Sequence, residues 1–224
     1  DKEGGPAQVA SGHEGTAQTL HFGDTETNFT LLQALIVQEA AEYAAAYLDC
    51  HSDRDIFVKR HRTCLAVGDA EIASIWARYE EFKPHYPKLR FIGRDEIARI
   101  EPNVVKGRDP NEPIAALFSP DGYIVNYGRL AESLIKDAKA MNPLLETHYR
   151  TLITRVERTE SGYDVYTDRG IFRTKALIVT AGGYSLVIAK QLGYGLDWEI
   201  GPVGGSFYRA KIRDLVNGKV YRPQ

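Results

Sequence analysis

The sequence predicts a mixed α/β fold in which two domains are interleaved along the chain. Three observations support this prediction. Apolar residues recur at helical spacing through much of the first 141 residues, alternation replaces that spacing from Thr147 onward, and an apolar run enters a Gly-Gly turn and then a helix between Ile178 and Gly195. A buried strand that feeds a helix beside an antiparallel layer favours interleaved domains over two domains in series.

Besides the helix after the Gly-Gly turn, four helices are predicted from apolar spacing and from the residues that start and stop them. The clearest begins after Thr30, which forms a capping box with Gln33, and its apolar stripe continues to Tyr47. Asp69 is predicted to cap the second helix, and Pro84 is predicted to end it. The other two helices are predicted over residues 94–100 and 126–141.

Strands are predicted where apolar residues alternate or form short runs. Residues 55–68 (DIFVKRHRTCLAVG) alternate like a half-exposed strand, and residues 115–125 contain a strand with a Pro-Asp-Gly turn. From Thr147, short alternating segments separated by turn residues predict an antiparallel meander. The last segment, ALIVT at 176–180, is continuously apolar, which predicts a strand covered on both faces.

The composition excludes several classes of protein. Among 224 residues the net charge is −2 with acids and bases mixed, which is not the charge pattern of a nucleic-acid-binding protein. No apolar run reaches the roughly 18 residues of a membrane span. Cys50 and Cys64 make no disulfide framework, so we expect a reducing compartment. Together with His51 and His61 they fit no zinc spacing, and no metal site is predicted.

Two charged pairs allow either a functional or a structural interpretation. Asp24 and Glu26 share one loop, but no histidine or third acid is evidently placed to complete a metal or acid/base site. We therefore interpret them as solvated or helix-capping residues. Arg60 and Arg62 could bind a dicarboxylate through forked hydrogen bonds, but we favour an exposed, charged strand face.

Three motifs resemble one flavoprotein family. The loop ASGHEGTAQTLHFGDTETNFT (10–30) resembles that of FAD-dependent malate:quinone oxidoreductases, in which Gln-Thr-Leu/Ile-His-x-Gly-Asp-x-Glu-Thr-Asn precedes a long helix. ALIVTAGGYSLVIAKQLGYG (176–195) resembles the later flavin motif of the wider D-amino-acid-oxidase-type superfamily. IGPVGGSFYRA (200–210) resembles the Gly-Pro-Val-x-Gly-x-Phe segment that follows that motif in malate:quinone oxidoreductases.

The resemblance implies a Rossmann-like FAD-binding domain interleaved with an antiparallel-sheet substrate domain. Residues 1–52 and 121–200 would belong to the FAD-binding domain, and residues 53–120 and 201–224 to the substrate domain. The opening strand and Gly-x-Gly-x-x-Gly turn of the family do not precede Asp1. We therefore expect an internal fragment of a longer flavoprotein, with an incomplete FAD-binding domain.

The resemblance also implies which residues contact FAD. Small residues let backbone N–H groups approach a phosphate, and a strand-turn-helix unit presents such groups together. The loop would pass the pyrophosphate and reach the isoalloxazine ring, Val156 would lie on the strand whose backbone contacts adenine, and the Gly-Gly turn would hold phosphate. The implied cofactor-binding residues are Ser11, Gly12, Gln18, Thr19, Val156, Ala181, Gly182, Gly183 and Ser185.

His21 is the one candidate catalytic residue. It stands where the family brings a histidine close to the flavin, so it could accept the hydroxyl proton of a 2-hydroxy acid while a hydride passes to the flavin. It could equally anchor the loop through hydrogen bonds. The sequence leaves both roles open.

The resemblance predicts an FAD-dependent oxidoreductase that oxidises malate or a similar 2-hydroxy acid and passes electrons to quinone. The alternatives are a non-catalytic fragment or subunit that does not hold FAD by itself, and an L-2-hydroxyglutarate oxidase-like or amino-acid oxidase-like enzyme. The expected partners are the small acid, quinone and a membrane surface, without nucleic acid. The expected location is cytoplasmic, peripheral to the inner face of the plasma membrane.

Overall fold

The computed structural model describes residues 1–9, 11–12, 18–51, 55–201 and 215–223. The chain divides into two compact units, each made of two separate stretches. We call Asp1–Gly12 with Ala131–Phe207 the meander unit, and His13–Leu130 with Tyr208–Gln224 the central unit. The predicted functional domains 1–52, 53–120, 121–200 and 201–224 stay a prediction, because compactness alone assigns neither cofactor nor substrate to a unit.

The described residues form helices and strands in a mixed order, which confirms the predicted α/β class. In chain order they are β1 (Thr19–Leu20), α1 (Leu31–Asp49), β2 (Phe57–Lys59), β3 (Arg62–Val67), α2 (Asp69–Phe82), β4 (Arg90–Gly93), α3 (Arg94–Ile100), α4 (Pro102–Val105), β5 (Ile114–Ser119), β6 (Tyr123–Val125), α5 (Tyr127–Met141), β7 (Ile153–Thr159), β8 (Gly162–Thr167), β9 (Gly170–Thr174), α6 (Tyr184–Gln191) and β10 (Lys219–Tyr221). No helix among them is long and apolar enough to cross a bilayer.

The predicted start of α1 is confirmed, whereas that of α2 is wrong in detail. The Gln33 backbone N–H donates to Thr30 Oγ1, and the Thr30 N–H donates to the Gln33 side chain, which completes the capping box. The N-cap of α2 is Gly68, and Asp69 is the first helical residue. The acceptor near this end is the Glu71 carboxylate, which bonds the Val67 N–H that precedes the helix.

A four-stranded sheet forms the centre of the central unit. Its strand order is β10-β3-β5-β4, with β10 parallel to β3 and the other pairs antiparallel. One face packs Cys64 and Ala66 against α1 and α2, and the other packs Leu65 against the Ile97 side of α3. β3 is therefore buried on both faces, and the half-exposed strand predicted there is wrong because helices cover the sheet on both sides.

A three-stranded antiparallel sheet, with the order β1-β6-β2, lies in the same unit. Leu20, Tyr123 and Val125 of this sheet pack with Ala41 and Leu48 of α1 in one buried cluster. Strand β1 is paired residue by residue to β6, and the chain leaves it directly into the loop that carries His21. This pairing fixes one end of that loop.

The predicted meander after Thr147 is confirmed in the meander unit. β7, β8 and β9 form a three-stranded antiparallel sheet, and Val156 and Val165 are buried opposite each other. The strand predicted at 176–180 is wrong: the described residues give it no pairing partner, and Ile178 is 87% exposed. An apolar run becomes a strand only when a neighbour accepts its backbone hydrogen bonds.

Candidate functional site

The loop after β1 is held tightly against the central unit. Gly23 has a φ of +86°, and a Cβ at this position would lie 2.6 Å from the Ala34 carbonyl oxygen of α1. The Gly23 carbonyl accepts from Arg78 at 2.9 Å, and the Phe22 carbonyl accepts from the Tyr86 hydroxyl at 3.2 Å. The backbone after His21 is therefore fixed by helix packing and hydrogen bonds, and the backbone before it by the pairing of β1 with β6.

His21 pairs with a buried carboxylate in the same loop. Its Nδ1 lies 2.8 Å from Glu26 Oε1, and its side chain is 48% exposed while that of Glu26 is 6% exposed. The second oxygen, Glu26 Oε2, accepts from the Gly23 N–H at 2.9 Å. Burial by itself raises the pKa of Glu26, but the His21 hydrogen bond and the charge of Arg62 outweigh it and bring this pKa below its ordinary value.

Arg62 of β3 lies beneath this pair and is itself only 2% exposed. Its guanidinium contacts Asp24 Oδ1 at 2.7 Å and Glu26 Oε1 at 3.3 Å. The remaining donors reach the Asp121 carbonyl at 3.2 Å and the Ser119 hydroxyl at 3.3 Å. A buried guanidinium with every side of its fork occupied is a firm support for two carboxylates.

These contacts contradict two of the structural interpretations made from the sequence. Asp24 and Glu26 are buried and ion-paired, not solvated, and a histidine does complete the group because the loop turns His21 back onto Glu26. Arg62 is buried rather than on an exposed strand face, although Arg60 is exposed as predicted. Sequence reasoning missed this cluster because neither helical nor strand periodicity relates positions within a loop.

The cluster of Arg62, Asp24, Glu26 and His21 did leave a signal in the sequence. Arg62 comes two residues before the short apolar run Cys64–Val67, which a strand covered on both faces would also show, and an unpaired charge is not stable in such a strand. A buried arginine therefore demands carboxylate partners from elsewhere in the chain. The two acids that follow His21 were candidates, but only the fold brings them within 3.3 Å of it.

Gln18 and Thr19, which the resemblance assigns to FAD, have structural contacts in the central unit. Gln18 has a φ of +54°, its carbonyl accepts from the Val125 N–H at 2.8 Å, and its side-chain oxygen accepts from the Tyr127 N–H at the start of α5. The Thr19 carbonyl accepts from the Tyr127 hydroxyl at 2.9 Å. Contact of these two residues with FAD stays a prediction.

The other predicted cofactor residues lie in the meander unit. Ser11 is exposed, and the Gly12 N–H donates to the Val9 carbonyl at 3.1 Å. The Val156 N–H donates to Gln191 Oε1 at 2.9 Å, so the strand with Val156 is bonded to the helix that begins at the Gly-Gly turn. The structure thus joins Val156 and this turn in one local substructure, while their contact with FAD stays a prediction.

The turn Ala181–Ser185 has the features that an anionic cofactor group needs. Gly182 has a φ of +57°, and a Cβ at Gly182 or Gly183 would meet no atom within 4 Å. Helix α6 begins at Tyr184 without a side-chain cap and without an acid in its first turn, and Lys2 Nζ lies 4.9 Å from the Tyr184 ring centroid. An open turn and an uncapped helix N-terminus are features that suit a phosphate group, while Lys2 itself pairs with Glu3 at 3.9 Å. Contact of this turn with the pyrophosphate of FAD stays a prediction.

The part of the chain that the structure describes contains no candidate metal site. No group of three or more His, Cys, Asp or Glu side chains there could hold an ion. Cys50 is exposed and Cys64 is buried, and both are free thiols. His61 instead bonds Glu101 at 2.8 Å.

The third predicted motif, around Gly201–Phe207, falls mostly outside the described residues.

Comparison with known proteins assigns the chain to a family. A family model described as FAD dependent oxidoreductase matches residues 1–223. A probable malate:quinone oxidoreductase of Campylobacter jejuni is 35% identical over 217 residues, covering 93% of this chain and 48% of that protein. A malate:quinone oxidoreductase of Helicobacter pylori is 31% identical over 224 residues, covering 97% of this chain and 49% of that protein.

The fold has solved counterparts as well. Glycine oxidase from Geobacillus kaustophilus aligns with a TM-score of 0.72 at 18% identity, covering 98% of this chain and 58% of that structure. The chain spans about half the length of the curated relatives it matches. The family match confirms the predicted class and its cofactor, FAD. The chain belongs to the FAD-dependent oxidoreductase family.

Proposed function

We propose that this chain supplies part of an FAD-dependent enzyme that oxidises malate or a similar 2-hydroxy acid and passes the electrons to quinone. One observation carries the proposal: His21 is a half-exposed imidazole that a buried carboxylate holds through one nitrogen. The malate and quinone in the names of the Campylobacter jejuni and Helicobacter pylori relatives support the substrate and the acceptor.

In this proposal His21 accepts the proton of the substrate hydroxyl at Nε2. Among the described residues no hydrogen bond occupies that nitrogen, and the ring is exposed enough for a small acid to reach it. FAD, when bound, supplies the acceptor for the two electrons that leave the substrate. A positioned base of this kind contributes about 10²–10⁴-fold to a rate.

The turn Ala181–Ser185 and the start of α6 would hold the pyrophosphate of FAD, and the strand with Val156 would support the adenine end. Ser11, Gly12, Gln18 and Thr19 are proposed as further contacts along the cofactor, on the strength of the motif that they share with the family. The open space at both turn glycines supports the first of these assignments most directly.

The test begins with the 224-residue chain and added FAD. Retention of flavin colour after gel filtration, followed by anaerobic bleaching on addition of malate, is the expected result. Glycine and 2-hydroxyglutarate are the competing substrates, and faster bleaching by either would replace malate in the proposal. A chain that stays colourless in excess FAD would support the alternative of a non-catalytic fragment.

A matched pair of variants tests the base. His21→Gln is expected to retain FAD and to slow bleaching by malate about 10²-fold or more. His148→Gln is the control, because His148 has a similar exposure, 46%, and also bonds a carboxylate, that of Glu146 at 2.9 Å. Equal rates in the two variants would remove the catalytic role of His21 and leave the anchoring role.

Delivery of electrons to a quinone in the bilayer requires contact with the membrane surface. We therefore propose a peripheral position at the inner face of the plasma membrane for the protein that contains this chain. Cell fractionation checks this directly: the protein is expected in the membrane pellet at low salt and in the supernatant after a high-salt wash. Recovery in the secreted fraction would contradict the proposal.

A further inference from the structure

We propose that Glu26 is the positioning residue of His21, holding a proton on Nδ1 so that Nε2 carries the lone pair of the neutral imidazole. The catalytic meaning of this inference rests on the proposed function, whereas its structural content does not. Glu26 is a candidate because its Oε1 is 2.8 Å from Nδ1, in a loop whose backbone is fixed before the ring by the pairing of β1 with β6 and after it by hydrogen bonds at Phe22 and Gly23.

The direction of the hydrogen bond follows from the chemistry of the two groups. An ionised carboxylate has no hydrogen to donate, so the nitrogen that faces it must carry one. Glu26 is in the ionised form at neutral pH because the His21 bond and Arg62 favour that form over the desolvation that opposes it. A neutral imidazole has a single N–H, and the proton at Nδ1 therefore leaves Nε2 as an acceptor.

The position of the carboxylate is as well defined as its charge. Glu26 Oε2 is committed to the Gly23 N–H at 2.9 Å, and Oε1 also meets the Arg62 guanidinium at 3.3 Å. Arg62 in turn is held by Asp24 at 2.7 Å. The carboxylate therefore has little freedom to rotate away from His21. Its hydrogen bond to Nδ1 restricts the rotation of the imidazole ring in turn.

An anchoring role and a positioning role make different demands on Glu26. An anchor needs only a hydrogen bond between ring and loop, and either tautomer of the imidazole can make one with a neutral amide. Positioning needs an acceptor that cannot donate. In Glu26→Gln the amide has a single acceptor oxygen. Turned toward His21, it would leave the amide N–H₂ against the fixed Gly23 N–H at 2.9 Å; turned toward Gly23, it sets the N–H₂ opposite Nδ1 and the more distant Arg62 guanidinium at 3.3 Å. The second orientation costs less, because Arg62 keeps Asp24 as its partner, and the imidazole then carries its proton on Nε2.

The experiment reads the tautomer directly, without FAD. The 224-residue chain is labelled with ¹⁵N-histidine and long-range ¹H–¹⁵N spectra are recorded about two pH units above the ordinary histidine pKa of ~6.5. Of the six histidines, His21 is assigned as the signal absent from His21→Gln. In the wild-type chain we expect the proton on Nδ1 and the lone pair on Nε2. In Glu26→Gln we expect the reverse tautomer or a mixture.

Glu39→Gln is the control, because it makes the same chemical change on the exposed surface of α1 and is expected to leave the His21 signals unchanged. A wild-type His21 with its proton on Nε2 would overturn the inference, and this readout does not depend on whether Glu26→Gln folds. A folded Glu26→Gln variant with the wild-type tautomer would overturn it as well.

A kinetic measurement separates this inference from the proposed function. With FAD bound, Glu26→Gln is expected to lower the rate constant of bleaching at saturating malate about 10²-fold or more, with little change in the malate concentration that gives half the maximum rate. If the tautomer shifts as expected but neither Glu26→Gln nor His21→Gln slows bleaching, the proposed function fails and the positioning by Glu26 stands. If the tautomer does not shift in Glu26→Gln while His21→Gln bleaches slowly, the positioning by Glu26 fails and the proposed function stands.

Discussion

Replacing Arg62 by methionine is the most informative single change that the structure offers. The substitution keeps an unbranched apolar side chain in β3 that matches the aliphatic part of arginine, but it removes the only guanidinium that contacts both Asp24 and Glu26 among the described residues. The two buried carboxylates then lose the guanidinium that balances their charge. Breaking a buried ion pair by removing one partner costs about 3–5 kcal/mol. For a chain of this size that is a fall in Tm of roughly 6–20 °C.

The assay for Arg62→Met must report on the central unit alone. The chain has two tryptophans, and Trp76 in α2 packs edge-on against Phe91 with ring centroids 4.8 Å apart. In a Trp198→Phe background, urea unfolding followed by fluorescence therefore follows the central unit through Trp76. Arg60→Met is the control: Arg60 is exposed, and its loss is expected to cost less than about 0.5 kcal/mol.

The pH dependence of the stability difference between wild type and Arg62→Met tests the same prediction. The folded-state pKa of Glu26 lies below its ordinary value of 4.5, so its contribution to stability is present above about 4.5 and is lost as the pH falls through the folded pKa. Arg62 is one cause of that lowering. The stability gap between wild type and Arg62→Met should therefore be largest near neutral pH and shrink below pH 4.5. A gap under about 1 kcal/mol at pH 7, or one that is flat with pH, would refute the assigned role of the network.

Three further predictions follow from the geometry. Gly183→Ala should leave the stability of the chain without FAD almost unchanged, because Gly183 has a φ of −58° and open space at its Cβ. The same variant should weaken FAD retention measured by gel filtration, and unchanged retention would contradict pyrophosphate binding at this turn. Glu101→Gln leaves one acceptor oxygen for two backbone donors, the N–H groups of Asn217 at 2.8 Å and Gly218 at 2.6 Å, so it should cost about 1–3 kcal/mol and speed amide exchange in β10 before the rest of the sheet; unchanged exchange in β10 would contradict this role of Glu101. Burial raises the pKa of Cys64 to about 12, so a thiol reagent at mildly alkaline pH should label Cys50 quickly and Cys64 only after unfolding; two fast thiols would contradict the packing of β3.

Local signals in the sequence predicted a large part of the fold. The capping box at Thr30, the end of α2 before Pro84 and the meander after Thr147 depend on residues close in sequence, and each is present in the structure. Burial was harder, because it depends on what covers a strand. The segment 55–68 alternates like a half-exposed strand, yet β3 within it is buried on both faces, while the continuously apolar segment 176–180 is unpaired among the described residues and Ile178 in it is exposed.

The candidate site shows the same limit in a sharper form. His21 was identifiable from its motif, but its partner Glu26 was not, since a loop has no period from which a side chain's direction follows. The link to Arg62 spans 36 residues and exists only because β3 passes beneath the loop. Gln18 illustrates the converse: a residue taken from a cofactor motif has its main hydrogen bonds with β6 and the start of α5.

The parallel pairing of β10 with β3 has a consequence for synthesis. Val220 pairs with Thr63 and Tyr221 with Cys64, yet the whole second stretch of the meander unit lies between these strands in the chain. A ribosome therefore delivers β3, with its outer backbone N–H and C=O groups unpaired, long before the strand that covers that edge. Unpaired edges of apolar strands invite pairing with other chains. β10 is the last strand of this sheet to be synthesised. Until it pairs with β3, a nascent chain can aggregate through the open edge of β3.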